Sequence, residues 1–196
     1  MMTSRSEYRL ILRQDNADLR LTEIGYNIGL VGEEKHERLL RKQELIKKEL
    51  KRIETTGLAP NEELNRLLVS RETSPMTNGC RLIDLIRRPQ LNYELLTPFD
   101  STRPDYPEEV FEQVEIEVKY EGYIKRQLAQ AKEMRRLESR VLPETIRYSD
   151  ITGLRMEAQE KLEKVRPNNL GQASRISGVS PADISVLLIY LRKNNL

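Results

Sequence analysis

The sequence predicts an all-α protein, with a larger helical domain of long antiparallel helices over residues 1–140 and a small C-terminal helical bundle over residues 141–196. Apolar residues recur at alternating spacings of three and four along several stretches, the period of one helix face. Capping residues and prolines stand where those stretches begin, and glycines or prolines where they end. No run alternates apolar and polar residues long enough to compete as a strand; YEGY at 120–123 is too short. Charged residues make up 33% of the chain, aromatics 5%, and mean hydropathy is -0.63, a balance that suits helices with broad solvated faces.

Ser4 followed by Glu7 has the form of a capping box and predicts a helix from Arg5. Arg5, Arg9 and Arg13 would share one stripe of it at i, i+4 and i+8, with Tyr8, Leu10, Ile11 and Leu12 covering the other sides. Asp15, Asn16, Ala17 and Asp18 then end that helix and cap the next through short polar side chains. Two readings of the arginines stand. They pair with Glu7, Asp15 and Asp18 and hold two helices together, as cations interleaved with acids usually do, or they form a fork of planar donors aimed at phosphates or at another domain's carboxylates.

A short helix over 22–31 closed by Gly32 comes next, then a long one over 33–54 whose acidic first turn complements the helix dipole. His36, Leu39, Gln43, Ile46, Leu50 and Ile53 form its seam, read as local helix packing because it extends over only about two heptads. Arg41, Lys47, Lys48, Lys51 and Arg52 occupy the other face, either solvated or a second basic patch. Asn61 caps a helix reaching Ser70, residues 72–79 read as a loop, and a helix over 81–88 stops at Pro89. Asn92 caps a short segment to Leu96, and residues 97–107 are a proline-rich connection.

Pro107, Glu108 and Glu109 open the longest helix, with Phe111, Val114, Val118, Ile124, Leu128 and Ala131 as its buried face and Gly122 as a point of close approach. Lys125, Arg126, Lys132, Arg135 and Arg136 make its second half basic. Pro143 opens the bundle: a helix over 155–165 stopped by Pro167, another begun by Asn169 and closed by Gly178, and a last one entered through Ser180, Pro181 and Asp183. That last helix buries Ile184, Leu187, Leu188 and Leu191. Val186, Ile189 and Tyr190 widen its apolar stripe, which suits a protein partner.

One histidine excludes paired-histidine metal sites, and one cysteine excludes an internal disulfide or a Cys-rich cluster. His36 reads as structural and Cys80 as a small buried residue at a helix start, with nothing nearby to deprotonate it. Net charge is +2 with pI about 8.6, so any nucleic-acid contact must come from local clusters. No run approaches the roughly 20 apolar residues that span a bilayer, and no signal peptide is apparent. With the lone cysteine, this predicts a cytoplasmic protein. The offsets of Gly178, Val179, Ile184 and Leu187 also resemble a helix-turn-helix, but PADISVLLIYLR offers no base-reading side chain in its first two turns.

Four runs, TSRSEYRLILRQDNADLRLTEIGYNIGLV, LIDLIRRPQLNYELL, QVEIEVKYEGYIKRQ and LGQASRISGVSPADISVLL, resemble in order the C-terminal helical region of the glucose-inhibited division protein A family. That family is the large subunit of the bacterial enzyme that installs a carboxymethylaminomethyl group at carbon 5 of the tRNA wobble uridine. The resemblance implies FAD, NADH, a folate one-carbon donor, a GTPase partner and a homodimer for the full-length protein. Flavin and redox cysteines would belong to an N-terminal domain; no GxGxxG occurs here, so the chain resembles a C-terminal piece with no cofactor and no chemistry of its own. By the same resemblance, residues 1–140 would dock tRNA and the N-terminal flavin domain: Arg5, Arg9, Arg13 and Arg20, then Lys125 and Arg126, would meet tRNA, with some of Arg5 to Arg20 serving the flavin-domain interface instead. Gly171, Gln172, Arg175, Ile176 and Gly178 would meet the GTPase, Arg175 foremost because no acidic partner is evident for it in the sequence. A helix-turn-helix DNA binder and a pure protein-protein adaptor are the alternatives.

Overall fold

The computed structural model describes residues 7–194; the described chain is mostly helical, with one two-stranded pairing and an isolated antiparallel bridge between Val141 and Asn169. It divides into two compact units, one ending at Lys125 and the other beginning at Arg126. The division falls inside the longest helix, whereas the expected one at 140/141 lies just past that helix's end.

The helix expected from Arg5 is absent from the described residues. Residues 7–12 form turns in which the Ile11 and Leu12 amides both donate to the Tyr8 carbonyl, at 3.0 and 2.9 Å. Side chains take the carbonyls a helix would need: Asn16 Nδ2 donates to the Ile11 oxygen at 3.0 Å and an Arg13 nitrogen to the Leu10 oxygen at 2.6 Å. Ser4 and Arg5 lie outside the described residues. The first helix, α1 (Ala17–Asn27), therefore starts at the DNAD element, five residues ahead of expectation, and turns at Gly29, φ +78°.

α2 (Glu33–Thr55) has a seam different from the expected one. Leu39, Ile46 and Ile53 are buried as anticipated, but Lys42 and Glu49, not Gln43 and Leu50, complete the three-four spacing. Charges tolerate that position because each meets an opposite charge: Lys42 Nζ lies 2.8 Å from Asp18 and 3.1 Å from Glu109, and Glu49 accepts from Arg52. Arg52, expected on the solvated face, is thereby drawn into the interior. His36 stacks on Tyr26 with ring centroids 4.0 Å apart and an interplanar angle of 7°.

β1 (Gly57–Leu58) pairs antiparallel with β2 (Cys80–Arg81), a pairing too short to read from alternation. α3 (Glu62–Ser70) is capped as expected, the Asn61 side chain accepting from the Leu64 amide at 2.7 Å. Asn65 brackets Met76, donating to its carbonyl and accepting from its amide, which ties down the loop between α3 and β2. α4 (Leu82–Ile86) and a 3-10 helix (Glu94–Phe99) carry Leu82, Leu85, Ile86 and Leu96 into the first core, and α5 (Glu108–Glu138) adds Val110, Phe111, Val114 and Val118.

Two expectations for α5 fail. Leu128 is 52% exposed, because the buried positions of this helix all lie in its first third. Gly122 has nothing within 4 Å of the place a Cβ would take.

The second unit has its own core, from Leu142, Ile146, Tyr148 and Ile151 through Ala158 and Leu162 on α6 (Met156–Val165), Leu170 and Ala173 on α7 (Leu170–Ser174), and Ile184, Leu187 and Leu191 on α8 (Pro181–Lys193). Asn169 caps α7 and a reciprocal Ser180–Asp183 box caps α8, with Pro181 in its first turn. α7 ends four residues short of Gly178, whose φ of +98° turns the chain toward α8.

Candidate nucleic-acid interface

Two arginines of the segment, Arg13 and Arg20, spend donors within it. Arg13 Nε lies 3.0 and 3.1 Å from the two Asp15 carboxylate oxygens, and Arg20 donates to Asn16 Oδ1 at 2.9 Å and to the Arg13 carbonyl at 3.1 Å. Gln113 on α5 donates to the same Asp15 carboxylate at 2.9 Å. Burial alone would push that carboxyl up, but the bonds from Gln113 and Arg13 outweigh it and hold Asp15 below the usual carboxylate range. Of the two sequence readings, Arg13 and Arg20 follow internal pairing. Arg9 is exposed.

Cations without that internal engagement lie elsewhere. Arg41, Lys47 and Lys51 on α2 are exposed and form no ion pair among the described residues. On the second half of α5 the same holds for Arg126, Lys132 and Arg135, while Lys125 and Arg136 make exposed pairs with Glu121 at 2.5 Å and Glu133 at 3.4 Å. Lys125, Lys132 and Arg136 stand at i, i+7 and i+11, one face of the helix.

The five partner candidates divide by what they touch. Gly171 is buried on α7, where a Cβ would come within 3.1 and 3.2 Å of the Glu138 backbone. Arg175, the C-cap of α7, does have an acidic partner: it reaches Glu138 at 2.8 Å. Sequence could not reveal this pair because 37 residues separate its members. Gln172 is exposed and accepts from the Asn168 amide, Ile176 packs on the core, and Gly178 faces the Glu157 carboxylate.

The entry to α8 is closed by its own chain. Asp183 is forked by Arg155, Nη2 at 2.6 Å and Nε at 3.1 Å, and also accepts from the Ser180 amide and hydroxyl. Those bonds, the Arg155 one foremost, hold its carboxyl far below the ordinary range. A carboxylate thus fills the helix N-terminus where a phosphate would bind. On the same helix Val186, Ile189 and Tyr190 line a cleft with Asp150, Ile151, Thr152, Lys193 and Asn194. Sequence anticipated the apolar surplus but not the polar rim from residues 150–152.

Cys80 is half-buried in β2 rather than at a helix start, with its Sγ 3.7 Å from Met76 Sδ, and burial pushes its thiol up. A dinucleotide bound in the doubly wound manner sits on a glycine turn between a strand and a helix. The positive-φ glycines here, Gly29, Gly153 and Gly178, stand singly in helix connections, and both strands are two residues long, so the described residues do not fit that mode of binding. Among them no cluster of His, Cys, Asp or Glu is placed to hold a metal ion, and no helix is long and apolar enough to cross a membrane.

Residues 33–128 match the family model described as the tRNA modifying enzyme MnmG/GidA C-terminal helical domain, and residues 130–196 match that of the MnmG/GidA C-terminal helical bundle. The tRNA uridine 5-carboxymethylaminomethyl modification enzyme MnmG of Caldicellulosiruptor saccharolyticus is 54% identical over 193 residues, covering 98% of this chain and 31% of that protein. The MnmG of Alkaliphilus oremlandii is 55% identical over 194 residues, again covering 98% and 31%. The structure of Aquifex aeolicus GidA in its form II crystal superposes with a TM-score of 0.63 at 35% identity, covering 95% of this chain and 29% of that one. The chain spans about a third of the length of the curated relatives it matches.

Proposed function

Because the chain belongs to the C-terminal helical region of the MnmG/GidA tRNA-modifying enzymes, we propose that it is the docking portion of such an enzyme, holding tRNA on its basic helix faces and a GTPase partner on its final bundle. Modification of the wobble uridine at carbon 5, with FAD, NADH and a folate one-carbon donor, belongs to the preceding part of a cytoplasmic, homodimeric enzyme. The observation that carries the reading is the run of exposed cations on the second half of α5, Arg126, Lys132 and Arg135, which no carboxylate within the described residues neutralises.

Lys125 and Arg136 join them. Their exposed pairs are worth about 0–1 kcal/mol each, so phosphates displace Glu121 and Glu133 at little cost. Arg9, which is exposed, and Arg5 are further candidate phosphate contacts by family resemblance, whereas Arg13 and Arg20 shape the segment that presents Arg9. RNA is then gripped through its backbone and shape, with affinity that falls as salt rises. For the GTPase, the Val186, Ile189 and Tyr190 cleft on α8 is the seat, and the α7 residues Gly171, Gln172 and Arg175, with Ile176 and Gly178 behind them, set its position.

Filter binding of tRNA against duplex DNA at two salt concentrations tests the nucleic-acid role. Salt-sensitive binding that favours tRNA is expected, and preference for the duplex would instead make the chain a DNA binder. Deleting residues 167–196 is expected to abolish capture of the GTPase. No tRNA affinity combined with retained GTPase capture would leave a pure adaptor.

A further inference from the structure

α1 is apolar on two opposite sides. Leu19 packs on the first core and Tyr26 stacks on His36, while Leu21, Ile24 and Ile28, at i, i+3 and i+7, form a second stripe facing away and are 55%, 58% and 65% exposed. Leu30, just past the helix, is 80% exposed, and no residue of α1 is fully buried. A surface helix keeps one apolar stripe; a helix apolar on both sides belongs between two bodies.

The lengths of the relatives point to the second body. The matching C-terminal domain model begins at residue 33, so α1 lies ahead of that domain, yet relatives align over 98–100% of the chain and contain α1. The matched region is 31% of their length, and both matching models are described as C-terminal, which puts the remainder of those proteins upstream of α1. The neighbouring charges, Arg13 with Asp15 and Arg20 with Asn16, are engaged within the segment, and Asp18 is held by Lys42. What α1 offers outward is aliphatic, complementary to a protein surface and not to phosphates.

We propose that the outer face of α1, formed by Leu21, Ile24, Ile28 and Leu30, is the seat on which the upstream part of the same polypeptide packs in the full-length enzyme. It goes beyond the tRNA-docking role and can stand or fall without it, since apolar packing is read without any RNA present. α1 is then a shared element, clipped to this unit by the Asp18–Lys42 and Asp15–Gln113 contacts and to the upstream body by its aliphatic stripe.

The test is alkylation of Ile24→Cys by a maleimide, followed at the α1 peptide by mass spectrometry, in the 196-residue chain and in the full-length polypeptide. Rapid labelling of the 196-residue chain and at least tenfold slower labelling of the full-length one are expected. Equal rates would overturn the proposal, as would protection in the 196-residue chain that grows with its concentration, since a second copy would then be the occupant. Leu21→Ser with Ile28→Ser is an independent check: the melting temperature of the 196-residue chain should hold while that of the full-length enzyme falls. No fall in the latter would count equally against the seat.

Discussion

Arg52 on α2 and Asp100 at the end of the 3-10 helix form a two-point ion pair, Nη1 to Oδ1 at 3.0 Å and Nη2 to Oδ2 at 2.5 Å. The same guanidinium holds Glu49 through Nε at 2.9 Å and Nη2 at 2.8 Å, and Tyr93 donates its hydroxyl to Glu49. Burial, seconded by the Glu49 bond, pushes the Tyr93 phenol up, so it stays a donor. Asp100 would rise on burial too, but the Arg52 and Thr102 bonds hold it down. One planar cation thus ties α2 to the segment after the 3-10 helix.

Removing it strands two buried carboxylates. Arg52→Ala is expected to destabilise the chain by about 3–5 kcal/mol in urea denaturation, the cost of breaking a buried pair from one side. Arg52→Lys should recover only part of this, because an ammonium cannot fork two carboxylates at once.

Gly171 and Gly178 fail for different reasons when a methyl is added. At Gly171 the Cβ meets the Glu138 backbone on α5, which cannot swing away, so Gly171→Ala should cost about 1–3 kcal/mol. At Gly178 the clash is with the mobile end of Glu157 and the main penalty is the φ of +98°, so Gly178→Ala should cost about 1–2 kcal/mol. Adding Glu157→Ala should not rescue Gly178→Ala. Thermal melts of the three variants check this.

Acid should loosen the second unit through Asp183. Its carboxyl titrates below the ordinary aspartate value of 3.8, so the unfolded chain takes up the proton first. The stabilisation is complete above about pH 5 and is lost progressively as pH falls through the unfolded value toward the folded one. Melting temperature followed from pH 6 to pH 2 should drop in the wild type, and Asp183→Asn should start lower and fall less steeply over that window.

How much of this was legible follows the range of the interactions. The Asn61, Asn169 and Ser180–Asp183 caps lie within three residues of their partners, and α3, α7 and α8 begin where those caps were read. The all-α class was equally readable, since apolar period is local. Lys42 and Glu49 were missed because periodicity selects apolar residues, and nothing near Lys42 announces Glu109, 67 residues on. The arginine stripe failed for a local reason that spacing does not encode: Arg13 and Asn16 compete with the backbone for the Leu10 and Ile11 carbonyls. For the candidate surfaces, sequence named Lys125 and Arg126, which are exposed, alongside Arg13 and Arg175, and could not tell exposed cations from those consumed by Asp15 or Glu138.

Exposed cations on α5 are proposed to hold tRNA. The most direct test is filter binding of tRNA from about 50 to 200 mM salt, with the triple variant Arg126→Glu, Lys132→Glu, Arg135→Glu against the wild type. Weaker binding is expected, with a slope of log affinity on log salt that is shallower by about 2, at roughly 0.7–0.9 for each lost phosphate contact. Unchanged affinity and slope in a variant that melts like the wild type would contradict this role.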